Sequence, residues 1–109
     1  MIARVTLAEI DAVRTSVEQA VALFKESVVP ALHEQDGYEG VYVLANREGK
    51  ALVVTFWASE EAAEASVAGG YYAEQVEKFV TFFRAPPGRE TYQVAVAEAP
   101  AVAPGEVRR

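Results

Sequence analysis

The residues from Ala51 to Ala62, A-L-V-V-T-F-W-A-S-E-E-A, constrain the fold more than any other stretch of the chain. Val53, Val54, Thr55, Phe56 and Trp57 are β-branched or aromatic, types that suit a pleated, half-buried surface. Ser59 then offers a hydroxyl to the free amides of a following helix, and Glu60 and Glu61 fall at that helix's positive end. A strand therefore leads directly into a helix. Along the strand Leu52, Val54 and Phe56 alternate with Val53, Thr55 and Trp57, so both of its faces are largely apolar. A sheet built around it needs cover on two sides.

The flanking sequence predicts the rest of the order. Met1 to Leu7 reads as a short strand, and from about Asp11 to Gln35 apolar residues at Val13, Val17, Val21, Phe24, Val28 and Leu32 recur at helical spacing. Asp11 or Thr15, the latter with Glu18 three residues on, would cap this helix, and Pro30 would kink or restart it before Asp36-Gly37. Tyr38 to Ala45 and Ala51 to Trp57 read as two strands of a hairpin joined through Asn46-Arg47-Glu48-Gly49-Lys50. The helix opening at Ser59 would break at Gly69-Gly70 and resume with Tyr72, Val76, Phe79, Val80 and Phe83 on one face. After Ala85-Pro86-Pro87-Gly88, a last strand is expected from Glu90 to Ala97, alternating Tyr92, Val94 and Val96.

A β-α-β-β-α-β order predicts an α+β, ferredoxin-like domain: a four-stranded antiparallel sheet with its helices on one face. The domain is expected over residues 1–97, followed by a Pro/Ala-rich tail at 98–109. On the second strand Val41, Val43 and Ala45 oppose Tyr42 and Leu44, again apolar on both sides. Helices cover only one face, so the other is expected to meet the sheet of a second copy in a homodimer.

Several function classes are excluded by composition. Sixteen acidic against ten basic residues give a net charge of -6, which opposes a nucleic-acid partner. No stretch reaches the roughly 18 uninterrupted apolar residues of a membrane span, and no basic-then-apolar leader opens the chain, so no membrane partner and a cytoplasmic location are expected. With no cysteine and one histidine, the sequence has no zinc spacing, and its acidic residues form no calcium loop; no metal is expected. There is no glycine-rich phosphate loop and no nucleophile elbow.

Pro30-Ala31-Leu32, then Gly37-Tyr38-Glu39-Gly40, then the hairpin and T-F-W-A-S-E-E-A-A-E-A resemble the antibiotic-biosynthesis-monooxygenase-like family of dimeric α+β barrels over about residues 1–97. The resemblance implies a dimeric barrel and, as one activity, cofactor-independent monooxygenation of a small aromatic or polyketide-like compound. Quinone-forming members use the strand-end tryptophan, matched by Trp57, with an asparagine four residues upstream, where this chain has Val53. The haem-degrading branch uses a first-strand asparagine and a histidine on the second helix. Met1 to Leu7 has no asparagine and Ser59 to Arg84 no histidine, so no haem or other cofactor is expected. The alternative is a non-catalytic ligand-binding or structural homodimer of the same fold.

The candidate site is a small apolar cavity between the sheet and its own helices. Trp57 would line it or simply pack the core at a strand end. Tyr71 and Tyr72 after the double glycine, and Phe24 from the first helix, would face the same space or belong to the core. His33, the one histidine, falls at a helix end beside Glu34 and Asp36, where solvent exposure is a simpler reading than a part in catalysis. Arg4 is a charge in a short apolar strand, expected to pair with a carboxylate of a neighbouring strand or, less simply, to hold an anionic ligand.

Overall fold

The structure, a computed structural model, describes residues 1–98. Four strands, β1 (Ile2–Glu9), β2 (Tyr38–Ala45), β3 (Lys50–Trp57) and β4 (Gly88–Gln93), form one antiparallel sheet in the order β2-β3-β1-β4. Helices α1 (Val17–Leu23) and α2 (Val29–His33) flank a π-helical turn at Phe24–Val28, and α3 (Glu60–Ala68) and α4 (Tyr71–Lys78) follow the hairpin. This is the ferredoxin-like arrangement read from the sequence. The expected tail lies, after Glu98, outside the described residues.

Local chemistry explains where the elements start and stop. Ser16, not Asp11 or Thr15, caps α1: its hydroxyl accepts from the Gln19 N–H at 3.1 Å, and the Gln19 side chain accepts from the Ser16 N–H at 3.1 Å. The expected start at Asp11 fails because that residue is tied elsewhere. Its N–H donates to the Phe82 carbonyl at 2.7 Å and its carboxylate accepts from the Val13 N–H at 3.0 Å. Val13 is left outside the helix and exposed. Pro30 has no N–H to continue an α-helical ladder, and the turn ahead of it widens so that the Val29 N–H donates to the Phe24 carbonyl.

Ser59 caps α3 by accepting from the Ala62 N–H at 3.1 Å. The expected break at the double glycine occurs where Gly70 takes φ 90°, a left-handed conformation that ends one helix and starts the next. Two expectations near the C-terminal end need correction. Helix α4 stops at Lys78, so Val80 turns into solvent while Phe79 stays buried against the rings of Phe82 and Phe83. Strand β4 runs Gly88–Gln93 rather than Glu90 to Ala97. Its last pair is Gln93 with Ile2, after which one N–H, from Val94 to the Met1 carbonyl, still bonds to the sheet and Val96 is exposed.

The register assigns every strand residue to a face. Arg4 lies beside Thr55, Thr6 beside Val53 and Ala8 beside Ala51, with Val41, Val43 and Ala45 continuing that face on β2. This face is under the helices. The opposite face carries Val5, Leu7, Leu52, Val54, Phe56, Tyr42, Leu44 and Tyr92, and Leu7, Tyr42, Leu44 and Tyr92 are exposed.

Candidate functional site

A cavity of about 110 Å³ lies between the helix-covered face and the helices. Its floor is the sheet, with Arg4 and Thr6 from β1, Val53 and Thr55 from β3, and Val43 from β2. Its roof is Val17, Val21 and Phe24 from the first helical segments, with Tyr71, Tyr72, Gln75 and Phe79 from the second pair. The helical period places these side chains together. Tyr72, Val76 and Phe79 fall four and three residues apart, and with Gln75 they line the space.

Of the six residues singled out by sequence, the cavity brings together Tyr71, Tyr72, Phe24 and Arg4. Trp57 and His33 are elsewhere. Trp57 is fully buried beside the cavity rather than on its wall, and its indole N–H donates to the Thr55 hydroxyl at 2.9 Å. The edge of its ring meets Tyr38 at 6.0 Å between centroids. His33 is exposed at the end of α2 with its ring edge-on to Tyr38, 5.5 Å away. Val53, the position at which the resemblance expects an asparagine, faces the cavity as a hydrocarbon wall.

Arg4 is the residue whose environment departs most from expectation. It is 3% exposed, and its neighbours across the sheet are Thr55 and Thr91, neither of them a carboxylate. Among the described residues the expected ion pair is not formed. Nη2 donates to the Ser66 hydroxyl at 2.6 Å and Nη1 to the Ala63 carbonyl at 3.4 Å, both on α3. The guanidinium lies 4.8 Å from the Trp57 ring centroid and 5.1 Å from that of Tyr72. Among the described residues the ion pair formed is Arg14 with Asp11 at the surface, far from this site in character. Ser66, a small polar residue in an alanine-rich helix, carries no sequence signal of this role beyond its own polarity.

Burial pushes the Arg4 guanidinium below its ordinary pKa, Tyr72 and Tyr71 oppose that push, and Arg89 adds to it. An arginine stays charged under such pressure, so the site holds a desolvated cation. Burial also raises the Tyr71 phenol far above its ordinary value, which keeps it a proton donor. Tyr72 shares a hydrogen bond of 3.2 Å with the Thr6 hydroxyl, and its ring carries Arg89 at 4.8 Å as well as Arg4. On the outer side of Arg4 a second cleft, about 310 Å³, opens between Ala63, Glu64, Val67 and Ala68 of α3 and Arg89 and Thr91 of β4. No carboxylate or imidazole of the described residues lines the inner cavity, and no group of three His, Asp or Glu side chains among them is placed to hold a metal.

The sequence model of the antibiotic biosynthesis monooxygenase family matches residues 3–78. The chain belongs to that family. Its fold is similar to that of a protein of unknown function from Nitrosomonas europaea, with 23% identity, TM-score 0.71, and 93% of this chain and 95% of that one covered. A monooxygenase of Streptomyces coelicolor in complex with nanaomycin D is 21% identical over 92% of each chain, with TM-score 0.72. A cofactor-independent oxygenase of Streptomyces nogalater has 9% identity and TM-score 0.70, over 88% of this chain and 94% of that one. No curated protein matches the sequence. No helix of the described residues is long and apolar enough to cross a membrane.

Proposed function

We propose that the chain is a cofactor-independent monooxygenase-like protein that takes a small aromatic or polyketide-like compound into the cavity beneath α1 and α4, working as a homodimer joined through its outer sheet faces. The observation that carries this reading is the cavity itself, an apolar space in the family fold with Tyr71, Tyr72 and Phe24 on its wall. The structural relative holding nanaomycin D supports the aromatic class.

The chemistry suits an apolar space with few polar groups on its wall. An activated ring CH₂ loses a proton to give a carbanion, which adds O₂ to form a peroxide; the peroxide takes up a proton and expels water, leaving C=O. The sum is R₂CH₂ + O₂ → R₂C=O + H₂O, with both electron pairs supplied by the substrate carbon. A largely apolar wall favours reaction of the anion over its hydration, and the proton lost from carbon is the one returned to the peroxide. The Tyr71 phenol on the wall, kept protonated by burial, can donate a hydrogen bond to an oxygen of the ligand. Trp57 acts in this reading by holding Arg4 and the strand end in place.

An oxygen electrode with an anthrone-type substrate, in chelator-treated buffer, tests the proposal. One O₂ should be consumed per quinone formed, without hydrogen peroxide accumulating. Substrate binding without oxygen uptake above the uncatalysed rate would leave the second reading, a ligand-binding homodimer. That reading is favoured by the absence of a carboxylate or imidazole on the cavity wall and by Val53.

A further inference from the structure

We infer that the cavity seats one aromatic ring, standing alone or at the end of a larger ligand, that bears an anionic oxygen, carboxylate or phenolate, with Arg4 as its counter-charge. The inference deepens the reading above and rests on the cavity being a ligand site, but not on oxygen chemistry taking place there.

The first argument is charge. A buried arginine is ordinarily paired, because an isolated charge in a low-dielectric interior is costly. Arg4 reaches no carboxylate among the described residues; its partners are a hydroxyl, a carbonyl and two aromatic rings. Those contacts fix where the guanidinium points without neutralising it. Two of its N–H groups are directed at α3, and the side chain forms part of the cavity wall beside Tyr72, so an anion seated against that wall would lie next to the cation. The chain as a whole carries a net charge of -6, so an anion gains little from the general field and has to be recognised locally.

The second argument is size. An engineered apolar cavity of roughly 150 Å³ takes up benzene. At about 110 Å³ the cavity here seats one ring with slight movement of its walls, and a fused polycycle would have to project from it. Phe24, Tyr71, Tyr72 and Phe79 supply the aromatic surroundings such a ring prefers. The Tyr71 phenol, kept protonated by burial, adds a neutral donor to the same wall.

The test uses the full chain and four probes without oxygen turnover: benzoate, its neutral counterpart benzamide, 4-nitrophenol and neutral 4-nitroanisole, titrated by calorimetry or ligand-observed NMR. At least one anion should bind about tenfold or more tightly than its neutral counterpart, the scale of a hydrogen bond to a charged group. If the phenolate is the form taken, the bound 4-nitrophenol should show its 400 nm absorbance at a pH about one unit or more lower than free in solution. Benzoate preference assigns the carboxylate, and the shifted nitrophenol assigns the phenolate. Arg4→Gln should abolish either preference by weakening the anion far more than its neutral counterpart, and Arg4→Lys should restore part of it.

Arg89→Gln serves as the control for the outer cleft and should leave the preference intact. An equal loss in Arg89→Gln would place the anion in that cleft and overturn the inference. So would neutral and anionic rings binding equally well to the unaltered protein, a comparison that holds even if Arg4→Gln does not fold. If none of the four probes binds, the failure belongs to the ligand-site reading instead.

Discussion

On its outer face the sheet leaves Leu7 52% and Leu44 54% exposed, while on its inner face it buries Arg4 to 3% and Thr55 to 8%. This reverses the ordinary sorting of side chains between water and core. Each departure has its own explanation. The outer side chains form a contiguous apolar surface across β2, β3 and β1, a surface that asks for a second copy of the chain. The inner polar groups lie beside a cavity rather than in solid packing, where the proposed anionic ligand would give the buried charge a partner. Apolar exposure on one face and polar burial on the other distinguish, within one sheet, the surface proposed for assembly from the space proposed for a ligand.

The sharpest way to break the comparison is on the outer face. Leu44→Asp places a charge where the second sheet would sit, and should raise the dimer dissociation constant roughly a hundredfold or more, measured by sedimentation or light scattering against dilution. A monomer before and after the substitution would remove the assembly reading. The inner face is expected to respond in the opposite sense. Arg4→Met removes the charge and leaves Ser66 donating to the Ala63 carbonyl at 2.7 Å, so no buried group is orphaned. Its urea-unfolding stability should stay within about 1 kcal/mol of the parent or rise. A loss of several kcal/mol would make Arg4 a structural residue instead of a retained functional one.

The smallest effect concerns pH. Folding holds the Tyr71 proton above the phenol's ordinary pKa of 10.0, so the folded state binds more protons than the unfolded state once pH exceeds that value. Stability from this group is full below about pH 10 and falls as pH rises beyond it. Tyr71→Phe should flatten that alkaline decline in denaturation midpoints and remove a late-titrating phenol from the 295 nm absorbance curve. An unchanged curve would mean that the Tyr71 hydroxyl is open to water.

The sequence exposed some of this site and hid the rest for identifiable reasons. Tyr71, Tyr72 and Phe24 were legible because a helical period carries them to the face that packs on the sheet. Arg4 was conspicuous as a charge in an apolar strand, but its partner could not be read from spacing. Ser66 and Ala63 lie 62 and 59 positions away, on a helix whose rotation about its axis is set by packing. Trp57 illustrates the same limit. Its burial follows from its place at the end of β3, yet its indole turns to Thr55, two residues back on the same strand, rather than toward the cavity.

What the sequence determined by itself is the order of elements and the two-sided apolar character of the strands, because caps, breakers and the period of two are local properties of adjacent residues. Tertiary structure decided which local signals prevailed. Asp11 could have capped a helix, but its N–H is bound to the Phe82 carbonyl, and the start passed to Ser16. It also decided that Arg4 would have no counter-charge among the described residues, since strand register sets Thr55 and Thr91 as its neighbours. Register and helix packing are fixed by the whole core closing at once, and no window along the chain contains that information.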